Sequence, residues 1–131
     1  MYKKCLLILF ISLSLNTVHA EWKKIGQNVN GDTYYLDFTR VEESKMFDYI
    51  IYYVLADYKN PLMGDFLSLE STIAVDCAIG KQLDIGSIYY ADSMGRGYGI
   101  EAPPTLETEW ISPPPNSVMD VLMKKICRTY Y

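Results

Sequence analysis

The sequence predicts an α+β fold, mainly β. It consists of a single antiparallel sheet of about six strands, a C-terminal helix packed on one face, and one disulfide. Three observations carry this reading. From Phe66 to Cys77, Leu67, Leu69, Ile73, Val75 and Cys77 alternate with Ser68, Glu70, Thr72 and Asp76. That period of two belongs to a strand with one face in a core and one face in water. Near the C-terminus the period changes. Val118, Leu122 and Ile126 recur at four-residue spacing with Met119 and Met123 beside them, so one face of a helix is apolar. Cys77 closes the strand on its apolar face and Cys127 adjoins the apolar face of the helix, so a bridge between them ties helix to sheet.

The chain divides into residues 1–20, read as an export signal, and a single domain over 21–131. Lys3 and Lys4 give a positive start, Cys5 to Leu15 an apolar run, and Val18-His19-Ala20 a small-residue cleavage pattern. The run is shorter than the roughly 20 apolar residues that span a bilayer, so no integral membrane segment is expected after cleavage. Glu21, not a cysteine, follows the cleavage point, so no lipid anchor is expected at the new terminus. Cleavage leaves 111 residues, enough for one domain with a modest core. It leaves ten basic and sixteen acidic side chains, a net charge of −6. An acidic balance argues against nucleic acid as a partner and against electrostatic docking on anionic lipid, because both need a basic face. The sole histidine, His19, departs with the signal, and with it every His-based triad and His-ligated zinc site. Two cysteines remain, which in an exported protein favours a disulfide over reactive thiols.

Along the domain, Trp22 to Gly26 reads as an opening strand and Tyr34 to Asp37 as its return. Asn30-Gly31 between them is a strong hairpin signal. Asn28, Asn30 and Asp32 alternate as in a calcium loop, but the glycine is misplaced and no closing glutamate follows. Phe38 to Lys45 is polar and reads as a bend. Phe47 to Asp57 is apolar on both faces and predicts a central strand. Lys59 to Asp65, with Pro61 and Gly64, predicts a loop. A further strand is expected from about Gln82 to Ala91, interrupted at Gly86 as at a bulge or a close backbone approach. Asp92 to Pro104 reads as an irregular stretch, mobile or a glycine-rich edge. Its alternating glycines fit no nucleotide motif. Leu106 to Ile111 predicts a short final strand. Pro113-Pro114-Pro115 stiffens the approach to a helix capped by Asn116 or Ser117 and running to about Cys127.

No catalytic, cofactor-binding or metal-binding residue is predicted, and the chain is read as not an enzyme. Glu107 and Glu109 share a strand face, but nothing sets a nucleophile or an oxyanion site near them. The candidate protein-binding residues are Tyr89, Tyr90, Arg96 and Tyr98, in a glycine-rich stretch where aromatic and guanidinium groups can meet a partner. The adjacent tyrosine pairs at 34–35, 52–53 and 89–90 place one ring on each side of a strand, as β-propensity alone would also do.

A spaced set of residues resembles the surface-adhesin protein E family of exported Gram-negative bacterial proteins. The set comprises Trp22, Tyr34-Tyr35-Leu36-Asp37, Leu55-Ala56-Asp57-Tyr58, Ser68 and Glu70, Val75-Asp76-Cys77, Trp110, the proline-rich bend and Cys127. The resemblance spans Trp22 to Cys127 and implies the same sheet, helix and Cys77–Cys127 bridge. It also implies a non-enzymatic binding role, with a host surface or extracellular-matrix protein as partner. The alternative is a periplasmic structural or interaction protein of the cell envelope with no host partner. Either way the protein is expected to be exported, to the periplasm or the cell surface.

Overall fold

The computed structural model describes residues 20–44, 46–103 and 109–131. Residues 1–19 of the predicted export signal and 106–108 of the predicted final strand therefore lie outside the described residues; in the described remainder of that strand only Ile111 pairs, in a single antiparallel bridge with Gln82. Seven strands, β1 (Trp22–Gln27), β2 (Thr33–Asp37), β3 (Glu42–Glu43), β4 (Ile50–Leu62), β5 (Phe66–Asp76), β6 (Lys81–Tyr90) and β7 (Gly99–Glu101), precede one helix, α1 (Val118–Tyr130). All pairs are antiparallel, in the order β1-β2-β4-β5-β6-β7, with β3 pairing β4 beside β2.

The predicted first hairpin forms. Asn28 Oδ1 accepts from the backbone N–H of both Asn30 and Asp32 at 3.0 Å, and Gly31 takes a φ of 85°. Asn28 Oδ1 is thereby engaged with the turn's own backbone, while the Asp32 carboxylate accepts from the Asn28 side-chain amide and the Lys59 N–H, each at 3.0 Å. Several boundaries differ from the sequence reading. Phe38 to Arg40 is a 3-10 turn and Glu42–Glu43 pairs with Ile50 and Ile51, so the expected bend contains a short strand. The central strand starts at Ile50 rather than Phe47 and runs through the expected loop to Leu62. Pro61 is tolerated because β2 ends opposite Asp57 and the register with β5 is interrupted between Asp57 and Leu62. The turn itself needs only Met63 and Gly64, at φ 50° and 80°. The expected bulge in β6 is present, as a register shift opposite Thr72 and Ile73 that brings Gly86 across from Thr72.

On one sheet face Leu36, Ile50, Tyr52, Val54, Ile73 and Val75 meet Leu122, Met123 and Ile126 of α1. Leu122 and Ile126 are fully buried, and each contributes about 1.5–3 kcal/mol by leaving water. Tyr52 is also fully buried; its hydroxyl donates to Gln82 Oε1 at 3.3 Å, and burial pushes its pKa well above the usual phenol value. Ser117 caps the helix by accepting from the Asp120 N–H at 3.2 Å, while Asp120 reaches back to the Asn116 N–H at 2.9 Å. That reciprocal arrangement satisfies two donors at the helix start. Lys124 pairs with Asp120 at 2.8 Å and holds its carboxyl below the ordinary range. The helix runs three residues beyond the expected Cys127, to Tyr130. The Cys77–Cys127 disulfide is formed, with Cα atoms 5.7 Å apart, and fixes the last turns of α1 to the end of β5.

The assignment of one β5 face to water is only partly correct. Ser68 is fully buried and Ala74 is 4% exposed, although both belong to that face. The cover over Ser68 comes from the β6–β7 connection.

Candidate protein-binding site

β6 and β7 form a hairpin, with Ile88, Tyr89 and Tyr90 opposite Glu101, Ile100 and Gly99. β7 therefore lies inside the stretch read as irregular. Its connection is closed by backbone bonds from Ala91 N–H to Tyr98 and from Asp92 N–H to Arg96. Ser93 to Gly95 make one 3-10 turn, with Met94 at φ 61° and Gly95 at φ 67°.

This turn is pinned to the sheet. Ser68 Oγ donates to the Asp92 carbonyl at 2.7 Å and accepts from the Gly95 N–H at 2.9 Å. Asp57 Oδ1 accepts from the Met94 N–H at 3.0 Å. Leu55 and the Tyr90 ring lie within van der Waals distance of a side chain built at Gly95. Two buried or half-buried polar side chains thus satisfy backbone groups that would otherwise face an apolar surface. Of the two expectations for this stretch, the glycine-rich edge is the one realised: β7 is the edge strand of the sheet, and the tip of its hairpin projects.

Of the four candidate residues, Arg96 and Tyr98 share that exposed tip, and Tyr98 is 72% exposed. Tyr90 supports them from below. Its ring lies against Gly95 and Gly99, where a methyl group would come within 3.0 Å of the ring at Gly99. Burial raises the Tyr90 hydroxyl pKa, with Glu70 adding to the shift and Arg40 opposing it. Tyr89 points to the opposite sheet face, where its ring centroid is 5.5 Å from that of Phe66. The sequence reading thus names the two residues at the tip together with two that do not join them.

Sequence reasoning missed Arg40. Its guanidinium lies 4.2 Å over the Tyr53 ring and 5.1 Å over Trp22, on the same sheet face as Tyr90. Nε donates to Asp37 at 2.6 Å and Nη1 to Glu70 at 3.1 Å. Burial alone would raise the Asp37 pKa. Hydrogen bonds from Thr39 and Arg40 outweigh it and hold the carboxyl below the usual carboxylate range. The only signal in the sequence was an Asp followed three residues later by an Arg, which is too common to single out. Among the described residues no group of His, Cys, Asp or Glu is arranged to hold a metal ion, and no helix is long and apolar enough to cross a membrane.

Comparison with known proteins gives the following. The family model described as surface-adhesin protein E matches residues 22–128. No curated protein matches the chain by sequence. Among solved structures, crystal form II of Haemophilus influenzae protein E superposes with a TM-score of 0.69 at 18% identity, covering 86% of this chain and 91% of that one. Protein E from non-typeable Haemophilus influenzae superposes with a TM-score of 0.61 at 16% identity, covering 88% and 80%.

Proposed function

The chain belongs to the surface-adhesin protein E family, and from that premise we propose that it is a non-enzymatic, exported binding module that attaches to a host surface or extracellular-matrix protein through the tip of the β6–β7 hairpin. One observation carries the reading: Arg96 and Tyr98 stand in solvent on a connection whose backbone is bonded to Ser68 and Asp57. A large exposed ring on a fixed backbone loses little conformational freedom when a partner covers it, so most of its burial appears as affinity. The guanidinium adds planar donors that match a carboxylate or a row of carbonyls. Trp22, Arg40, Tyr53 and Glu70 contact one another on the same sheet face, tying β1, β4 and β5 together beside the hairpin.

Two measurements test this. Biotinylated mature protein is passed over solubilised extracellular matrix, and specific retention of a matrix protein is the expected result. Protease added to intact cells should digest the protein if it is displayed. Complete protection until the outer membrane is opened would move it to the periplasm and end the adhesion reading.

A further inference from the structure

α1 covers the part of its sheet face nearest the disulfide. Beyond Met119 the same face continues as an open groove of about 410 Å³. Its floor at the far end is Tyr34, Ala56, Tyr58 and Leu69. These sit together because Ala56 pairs with both Tyr34 and Leu69, and Tyr58 follows two residues on along the same face. Asp84 and Glu109 line the other end. Asp84 pairs with Ile73, four residues along β5 from Leu69, so the carboxylates are displaced along the strands from the tyrosines. Among the described residues neither Asp84 nor Glu109 has a basic partner within ion-pair distance. The groove is thus apolar and aromatic at one end and anionic at the other, on a face that the hairpin tip does not use.

We infer that this groove docks an extended, proline-rich segment of a partner protein, with a lysine or arginine of that segment seated between Asp84 and Glu109. The volume falls within the 300–1,000 Å³ typical of ligand clefts. A polyproline segment has no internal hydrogen bonds. Its rings pack against flat aromatic side chains while its free carbonyls accept from tyrosine hydroxyls. Tyr34 and Tyr58 offer both functions on adjacent strands. The Tyr58 hydroxyl, like any phenol, is protonated and a donor at physiological pH; burial, with Tyr34, Tyr89 and Asp32 nearby, pushes its pKa further up, to about 12. The acidic end fixes the direction in which the segment lies, because a basic residue is attracted there and an acidic one repelled.

The test is fluorescence anisotropy with two short labelled peptides of alternating proline and leucine, one ending in arginine and the other in glutamate. The wild type should bind the arginine peptide saturably and prefer it by about tenfold. Asp84→Lys with Glu109→Lys should invert that preference. Asp84 also accepts from the Gly86 N–H at 3.0 Å and from the Ser87 hydroxyl at 3.1 Å, so Glu109→Lys alone serves as a second variant and should weaken the arginine peptide only. Arg96→Ala with Tyr98→Ala should leave both peptides unaffected, which separates this site from the hairpin. Absence of saturable binding, equal affinity for the two peptides, or a preference that survives charge reversal overturns the inference.

Discussion

Replacing Arg40 by alanine should destabilise the fold by about 3 kcal/mol. Asp37 is fully buried and its side chain is in contact with the guanidinium at 2.6 Å. Removing one partner of a buried pair costs about 3–5 kcal/mol, because the other charge is left behind. Here the cost is reduced, since the Arg40 side chain is 28% exposed and Asp37 keeps a 2.9 Å bond from the Thr39 N–H and a 3.3 Å bond from the Glu21 N–H. About 2 kcal/mol is a reasonable remainder after that screening. The lost contacts with the Tyr53 and Trp22 rings add about 0.5–1 kcal/mol each at a partly exposed site. Arg40→Lys should recover part of the loss, because it restores charge but not the planar fork. The assay is urea unfolding at neutral pH of wild type, Arg40→Ala, Asp37→Ala and the double variant. The expected coupling between the two sites is about 1–2 kcal/mol. The effect also has a pH signature. Asp37 titrates below its ordinary value of 3.8, so the unfolded chain binds the proton more tightly than the folded one. The contribution is therefore complete above that value and disappears as pH falls through the lower folded value. A loss under about 0.5 kcal/mol, a strictly additive cycle, or a wild-type advantage that grows on acidification would refute the reasoning.

Other substitutions probe the remaining elements. The disulfide closes a 50-residue separation, so replacing Cys77 and Cys127 together by serine should cost about 4 kcal/mol in the chain-entropy model, read as a lower unfolding midpoint. A thiol titration of the unreduced, denatured protein should find no free cysteine. Ser117→Ala removes the helix cap and should cost about 1 kcal/mol by thermal unfolding. Gly97→Ala places a methyl group against the Asp92 carboxylate at a φ of 77°, so it should loosen the hairpin at a cost of about 1–2 kcal/mol. Faster amide exchange confined to residues 91–99 would report that loosening.

The elements with an unbroken period were legible in the sequence. β5 and α1 announce themselves by spacings of two and four, the first hairpin by Asn30-Gly31, and the β6 bulge by Gly86. The disulfide followed from counting cysteines after the signal. What escaped was decided by pairing over long separations. Pro61 marks a loop when read locally, and it lies in a strand because its β2 neighbour has already ended. Ser68 alternates with apolar residues as a solvent-facing position should, yet a hairpin 24 residues later closes over it and uses its hydroxyl twice. The same contact explains why glycines that imply mobility belong to a fixed turn. Arg40 was invisible because its partners are spread over β1, β2, β4 and β5 and meet only when the sheet forms. Of the candidate residues, the exposure of Arg96 and Tyr98 was legible because polar and aromatic side chains among glycines seldom enter a core. Tyr89 and Tyr90 could not be separated, since adjacent residues on a strand point to opposite faces.

The most direct test of the binding account is surface plasmon resonance of the mature protein over an immobilised basement-membrane extract, comparing wild type with Arg96→Ala plus Tyr98→Ala. Both side chains are exposed and neither is a hydrogen-bonded partner of the turn, so the variant should melt within about 0.5 kcal/mol of wild type. The account predicts saturable binding by the wild type and a loss of about tenfold or more in the variant, mainly through faster dissociation. Undiminished binding by a folded variant would contradict it.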